Sequence, residues 1–342
     1  MMFSDPSRAR PAGPTVLVLG GTGFMGRALV KRLLQDGVRV RALVRELSGR
    51  AEWLAHSGVE VVKGDLTDTA SVMAALDGIQ HVFHLARGAG PGWDDYLRLD
   101  VEPTRRLADL CCARGIGLCY TSSIAIYDGG RADDLITEST PPSRASMRLN
   151  AYARAKVATE RLLGEMHRQR GLNVVVFRPG IVIGSGGNPR HPGVGAWPDA
   201  STCRPWGGGR HRLPFVLVDD CADAMVRALR VPAIAGESFN LVGDASLSGH
   251  EYLDALERSA GIRIRRRPLP AWQLFARSSV KWGIKGLAGG QAPPLPSYRY
   301  CEGLSCRASF AADLAKRRLG WVPARDPAVL IEQGIALGLS PA

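Results

Sequence analysis

The chain has no apolar run of the ~18 to 20 residues that a membrane span requires, so no transmembrane helix is expected. Its opening stretch, MMFSDPSRARPAGP, lacks the apolar core of a secretory signal, and residues 1–14 read as a flexible tail. Cysteine is sparse. Seven are scattered with no C-x-x-C pair, so no metal ligation is expected, and the odd count points to reduced thiols in a cytoplasmic protein. Cys111 and Cys112 fall in an apolar helical pattern and read as core residues. No repeat at solenoid period is present. Acidic residues are scarce toward the end: Gly261–Ala342 holds 13 Lys and Arg against 4 Asp and Glu, most of the formal net charge of +12. No nucleic-acid module or regular aromatic interleaving accompanies this surplus, so nucleic acid is not an expected partner. A basic face toward an anionic cofactor, or a solvated surface, accounts for it.

What is present is ample material for a core: 342 residues, 45% of them hydrophobic, enough for one large domain or two unequal lobes. Short runs rich in Val, Ile and Leu recur at Val16–Leu19, Val38–Val44, Val59–Lys63, His81–Ala86, Leu118–Ser122 and Val174–Arg178. Helical patterns separate them, among them Arg27–Gln35, Ser71–Leu76, Tyr96–Arg114 and Ala151–Arg170. Continuous apolar strands alternating with helices predict an α/β fold, a doubly wound parallel Rossmann sheet. After Pro179 the stretch Gly184–Gly209 is dense in Gly and Pro, and a smaller C-terminal substrate lobe is expected to begin there. This gives a dinucleotide-binding domain over 15–180 and a substrate lobe over 181–213 and 243–342. The chain would return to the sheet at Pro214–Val218 and Phe239–Val242.

The first strand runs into TVLVLGGTGFMG, where Gly20, Gly23 and Gly26 open a helix. Glycine there lets the backbone turn sharply and lets a pyrophosphate reach the free N–H groups of the helix N-terminus. Alone, this spacing fits a bare turn equally well. It is joined by GDL at Gly64–Leu66, where Asp65 could reach an adenine ring, and by HLAR at His84–Arg87. All three lie at carboxyl ends of strands, where open α/β sheets bind ligands.

Two later stretches share that edge: YTSSIAIY at Tyr120–Tyr127 and NAYARAK at Asn150–Lys156. Tyr152 and Lys156 are four apart on a helix, so their side chains share a face. An ammonium beside a phenol lowers the phenol pKa from ~10, and such a tyrosine can exchange a proton with an alcohol during hydride transfer. A serine hydroxyl from the preceding strand end can hold the carbonyl oxygen.

With these motifs the chain resembles the extended short-chain dehydrogenase/reductases, the group of nucleotide-sugar epimerases and dehydratases, 3β-hydroxysteroid dehydrogenases and dihydroflavonol-type reductases. The resemblance covers about residues 15 to 335. It also takes in FRPGIVIG at Phe177–Gly184, PFVLVDDCADA at Pro214–Ala224 and LGWVP at Leu319–Pro323. It implies Tyr152 as general acid/base, Lys156 on the nicotinamide ribose, and Ser123, rather than Thr121 or Ser122, as the catalytic serine. It implies cofactor contacts from Gly20, Thr22, Gly23, Phe24, Met25 and Gly26, from Arg45, Asp65 and Leu66, from Leu85, Ala86 and Arg87, and from Pro179 and Gly180. One departure is visible: where the family has N-x-x-G-T, this chain reads DVEPT at Asp100–Thr104, so Asp100 replaces the relay asparagine.

The end of the second strand, VRALVRE, bears on cofactor choice. Arg45 could meet the 2′-phosphate of NADP, with Arg41 and Arg50 adding positive charge, whereas Glu46 could hold the ribose diol of NAD. NADP is the expectation and NAD the alternative. Sugar-nucleotide enzymes of the family carry arginines that grip a second pyrophosphate; here Leu213 and Gly303 stand at those places, with Arg212, Arg299 and Arg307 nearby. The apolar, basic segment Ala271–Leu287 would pack on the second lobe, wall a substrate pocket with Trp272, Phe275, Trp282 and Ile284, or rest on a membrane surface. The expected function is an NAD(P)-dependent oxidoreductase acting on a ketone or secondary alcohol of a hydrophobic, natural-product-like small molecule, working as a homodimer. A redox-neutral epimerase or dehydratase with tightly bound NAD, and a cofactor-sensing regulator without catalysis, are the alternatives.

Overall fold

The computed structural model describes residues 14–47, 49–88, 90, 92–127, 134–143, 150–287, 296–304 and 307–339. All but one residue of the expected N-terminal tail lies outside the described residues. Seven strands form the central sheet: β1 (Thr15–Leu19), β2 (Arg39–Val44), β3 (Glu60–Lys63), β4 (His81–His84), β5 (Gly117–Thr121), β6 (Val174–Pro179) and β7 (Ser238–Leu241). They are all parallel, in the order β7-β6-β5-β4-β1-β2-β3. The order reverses between β1 and β4, which makes that pair of strand ends the topological switch point where such sheets take ligands.

Five helices matter for the site and its support: α1 (Phe24–Gln35), α2 (Glu102–Arg114), α3 (Ala151–Arg170), α4 (Val218–Ala228) and α5 (Ala271–Leu287). Successive side chains of a strand point to opposite faces, and both faces of this sheet are covered. Val16 and Val18 pack with Leu29 and Leu33 of α1 and Met225 of α4. Leu17 and Leu19 pack with Leu107 of α2 and Leu163 of α3. This two-sided burial explains why the strands read as unbroken apolar runs. Cys111 is buried, as expected of a core residue, whereas Cys112 is only half-buried and its thiol donates to the Arg170 carbonyl at 3.3 Å.

Two expectations are corrected. Of the two returns to the sheet, only Ser238–Leu241 joins it, beside β6; Phe215–Leu217 pairs in parallel with Ile181–Ile183 in a separate two-stranded ladder. A short apolar run marks a strand without marking its partner, and Gly180 at the end of β6 sets the chain off in a new direction. A Cβ on Gly180 would lie 2.2 Å from the Pro214 carbonyl oxygen, so only glycine permits this close approach. The second correction concerns α5. None of Trp272, Phe275, Trp282 or Ile284 lines the cleft described below. Phe275 packs edge-on against Tyr298, and Trp272, Val280 and Ile284 stay 60%, 63% and 62% exposed. No helix among the described residues is long and apolar enough to cross a membrane.

Candidate active site

A cleft of about 1170 Å³ opens along the carboxyl ends of the central strands. The residues that the family resemblance assigns to cofactor contact and to the serine, tyrosine and lysine of catalysis all line it: Gly20, Thr22, Gly23, Phe24, Met25, Gly26, Arg45, Asp65, Leu66, Leu85, Ala86, Arg87, Ser123, Tyr152, Lys156, Pro179 and Gly180, whereas Arg41, Glu46 and Asp100 do not. The register of the sheet brings them together, because Leu19 pairs with both Leu43 and His84, His84 with Tyr120, and Thr121 with Phe177.

The glycine loop fits a pyrophosphate by its backbone. Gly20 has φ +86°, and a Cβ there would lie 2.7 Å from the Ala86 backbone nitrogen across the switch point. A Cβ on Gly26 would come 2.0 Å from the Gly20 carbonyl oxygen. Gly23 caps α1 without a side-chain hydrogen bond, and the first turn of α1 carries no acidic residue. The amide groups and positive end of the helix are therefore left for an anion.

Just past the end of β3, Thr67 donates its N–H and its hydroxyl to Asp65 Oδ1, both at 2.7 Å. These bonds, aided by the nearby Arg45 charge, hold the Asp65 carboxyl below its ordinary value. Arg45 is exposed and lines the cleft, whereas Glu46 beside it does not. Arg41 adds no charge there, contrary to the sequence expectation. It donates to the carbonyls of Ala75 and Asp77 at 2.9 and 2.7 Å and pairs with Glu60. From mid-β2 its length is spent reaching the start of β3 and the backbone at residues 75 and 77. The side chain of Arg50 lies outside the described residues.

At the catalytic end, α3 presents Tyr152 and Lys156 on one face, and the Lys156 ammonium sits 5.9 Å from the Tyr152 ring centroid. Lys156 is only 4% exposed; it donates to Tyr120 Oη at 3.0 Å and lies 4.0 Å from Asp100 Oδ2. Burial opposes the lysine charge, but Tyr120, Asp100 and Tyr152 around it outweigh that, so its pKa is raised and it stays an ammonium. Burial likewise pushes Tyr120 up to about 12, keeping it a neutral phenol. Asp100 is 1% exposed, and neither carboxylate oxygen has a hydrogen-bond partner among the described residues. Burial raises its pKa against the pull of Lys156 and Arg87.

Behind them His84 is fully buried. Thr104 gives its one hydroxyl proton to the Asp100 carbonyl at 2.6 Å, so at 2.8 Å it can only accept from His84 Nε2. Burial, then the Lys156 charge, lower the His84 pKa to about 3, which holds the ring neutral.

Ser123 stands half-buried in the cleft. Its Oγ accepts from the Ala125 N–H at 3.1 Å, which leaves the hydroxyl proton free to donate. Ser122, buried, and Thr121 line the cleft as well. Arg87 is exposed, with its guanidinium 5.5 Å from the Tyr152 ring centroid. The far wall is apolar and aromatic, formed by Ile124, Pro192, Trp206, Tyr300, Leu304 and Phe310. Sequence reasoning missed this wall and the Tyr120–Lys156 bond. Tyr120 was detectable, since alternation along β5 puts Leu118 and Tyr120 together on the face that α3 covers. The described residues contain no cluster of three or more His, Cys, Asp or Glu able to hold a metal.

Comparison with known proteins agrees with this geometry. Residues 16–241 match the NAD dependent epimerase/dehydratase family. An uncharacterized protein, y4nG, of Sinorhizobium fredii is 30% identical over 90% of this chain and 74% of its own. A 2-alkyl-3-oxoalkanoate reductase of Shewanella oneidensis is 27% identical over 93% of this chain and 84% of its own. The solved structure of MoeE5 in complex with UDP-glucuronic acid and NAD superposes with a TM-score of 0.71 at 22% identity, covering 94% of this chain and 98% of that one, a likeness of fold. The chain belongs to the NAD-dependent epimerase/dehydratase family, enzymes of the extended short-chain dehydrogenase/reductase type.

Proposed function

We propose that the protein is a net oxidoreductase that interconverts a ketone and a secondary alcohol on a hydrophobic small molecule, with NADP as the preferred cofactor. The observation that carries this is the substrate end of the cleft. Among the described residues, the only cations lining the cleft are Arg45, Arg87 and Lys156, and the wall opposite Tyr152 is apolar. Arg212, which could have gripped a sugar nucleotide, instead donates to the Ser246 carbonyl at 2.7 Å, and Arg307 faces Glu302. An apolar bore with few polar groups suits a carbonyl compound better than a nucleotide diphosphate. The similarity to a 2-alkyl-3-oxoalkanoate reductase supports the same class.

When bound, the nicotinamide cofactor supplies or accepts the hydride. Tyr152 gives its phenolic proton to the carbonyl oxygen in reduction and takes it back in oxidation. The Lys156 ammonium stabilises the phenolate left behind. Ser123 donates its hydroxyl to the same carbonyl oxygen and fixes the ketone against Tyr152. Arg45 at the end of β2 supports NADP, because an exposed guanidinium lines the cleft where a 2′-phosphate would sit and Glu46 does not line it. The cofactor of purified protein should leave on dialysis, and UDP- or dTDP-sugars should give no thermal shift. Retained NAD together with stabilisation by a sugar nucleotide would establish the epimerase alternative instead.

A further inference from the structure

Among the described residues, Arg87 stands without an ion-pair partner. It is exposed, it lies over the ring of Tyr152 at 5.5 Å, and no carboxylate lies within ion-pair distance of it among the described residues. Among the described residues the one acidic residue lining the cleft, Asp65, stands at the end of β3, with three strands between it and β5, the strand that leads to Ser123. Asp100 feels the Arg87 charge, but it is buried beneath with Lys156 as its nearer cation. A guanidinium placed beside the acid/base and left without a counter-charge is a receptor for an anion. Ile124, Pro192, Trp206, Leu304 and Phe310 give the cleft an apolar wall, and of the polar side chains in its lining Asn150 donates to the Tyr300 hydroxyl at 2.7 Å. A single cation at the reacting end of an apolar bore selects a molecule with the opposite design, an acid group near the carbonyl and an apolar chain beyond it.

We propose that Arg87 anchors a substrate carboxylate, so that the cleft takes oxo acids with an apolar chain in preference to neutral ketones. The proposal rests on the oxidoreductase reading above and names its substrate class. The guanidinium lies 5.5 Å from the phenol ring centroid, within cation–π range, and its N–H groups can meet a carboxylate in bidentate fashion. Because the cation lies over the same ring whose hydroxyl protonates the carbonyl, the acid must sit on the carbon next to the ketone or one further along. The pair then holds the carbonyl oxygen at Tyr152 and Ser123 while the chain runs along the apolar wall. Arg87 is in this role a specificity-determining residue in place of the cofactor contact that the family resemblance implies for it, and the proton still comes from Tyr152.

The test measures kcat/KM with NADPH for 3-oxododecanoate and for its methyl ester, which differ only in the charge. The unmodified protein should prefer the acid by about 10- to 100-fold, the worth of one charge-assisted pair. In Arg87→Gln the acid-to-ester ratio should fall toward one, chiefly through KM for the acid, and Arg87→Lys should recover part of it. Equal use of acid and ester by the unmodified protein would overturn the proposal. So would a loss in Arg87→Gln that is the same for both substrates and comes with weaker NADPH binding, since Arg87 would then serve the cofactor. Calorimetric binding of dodecanoate and of methyl dodecanoate needs no turnover and separates the two levels. Dodecanoate binding that depends on Arg87 without any reduction would sustain the carboxylate site while removing the oxidoreductase reading, and no such binding would remove the site.

Discussion

The neutral, buried His84 ties the catalytic core to acid stability, and the size of the effect follows from its surroundings. An unfolded histidine has a pKa of about 6.5, whereas burial beside Lys156 lowers His84 to about 3. The folded pKa is depressed, so the unfolded chain takes up the proton first as pH falls. The stability that His84 provides is complete above pH 6.5 and is lost progressively down to about pH 3. Between pH 8 and pH 5 linkage gives a loss of about 2 kcal/mol from this residue, and about 5 kcal/mol once both states are protonated. His84→Gln keeps an N–H donor for Thr104 and removes the titration. Urea unfolding at pH 8, 7, 6 and 5 should show the unmodified protein losing about 2 kcal/mol more than the variant over that range. His191, lowered to about 4 by burial, is present in both proteins and cancels in the comparison. Parallel pH dependences of the two proteins would refute the buried, neutral imidazole.

Tyr152→Phe keeps the ring beneath Arg87 but removes the proton, so kcat should fall by ~10² to 10⁴ with cofactor affinity nearly intact. Near-normal turnover with hydride transfer rate-limiting would assign the proton to another residue. Arg45→Ala should weaken NADPH binding by about 1.5 to 3 kcal/mol and leave NADH binding almost unchanged, as titration of both cofactors would reveal. Equal losses for the two would end the NADP preference.

Much of the cofactor half was legible because its signals are local. Strands buried on both faces must be largely apolar, so the central β1, β5 and β6 stood out as apolar runs. The strand ends carry the site, and the spacing of Tyr152 and Lys156 already placed them on one helical face. What stayed hidden depends on contacts far apart in sequence. Phe215–Leu217 reads as a sheet strand, and nothing in its residues says that Ile181–Ile183 is its partner. The segment Ala271–Leu287 has the composition of a pocket wall, but the wall is built by Trp206, Tyr300, Leu304 and Phe310, brought in from a 3-10 turn, a short helix with the residue after it, and a two-residue strand. Arg41 was counted toward the cofactor by nearness in sequence, and its carbonyl partners come from residues 75 and 77. The position of Arg87 over Tyr152 joins the end of β4 to the first turn of α3. The strand-end motifs put both residues on one edge of the sheet, but not one over the other.

The most direct measurement follows the hydride itself. Purified protein is given NADPH deuterated at the transferring position and a hydrophobic 3-oxo acid, and cofactor oxidation is counted against alcohol formed. Net oxidoreduction predicts one NADPH consumed per alcohol, with the deuterium on the new carbinol carbon and the transfer lost in Tyr152→Phe. No consumption of NADPH, together with conversion of a sugar nucleotide on retained NAD without net redox change, would contradict the proposed function.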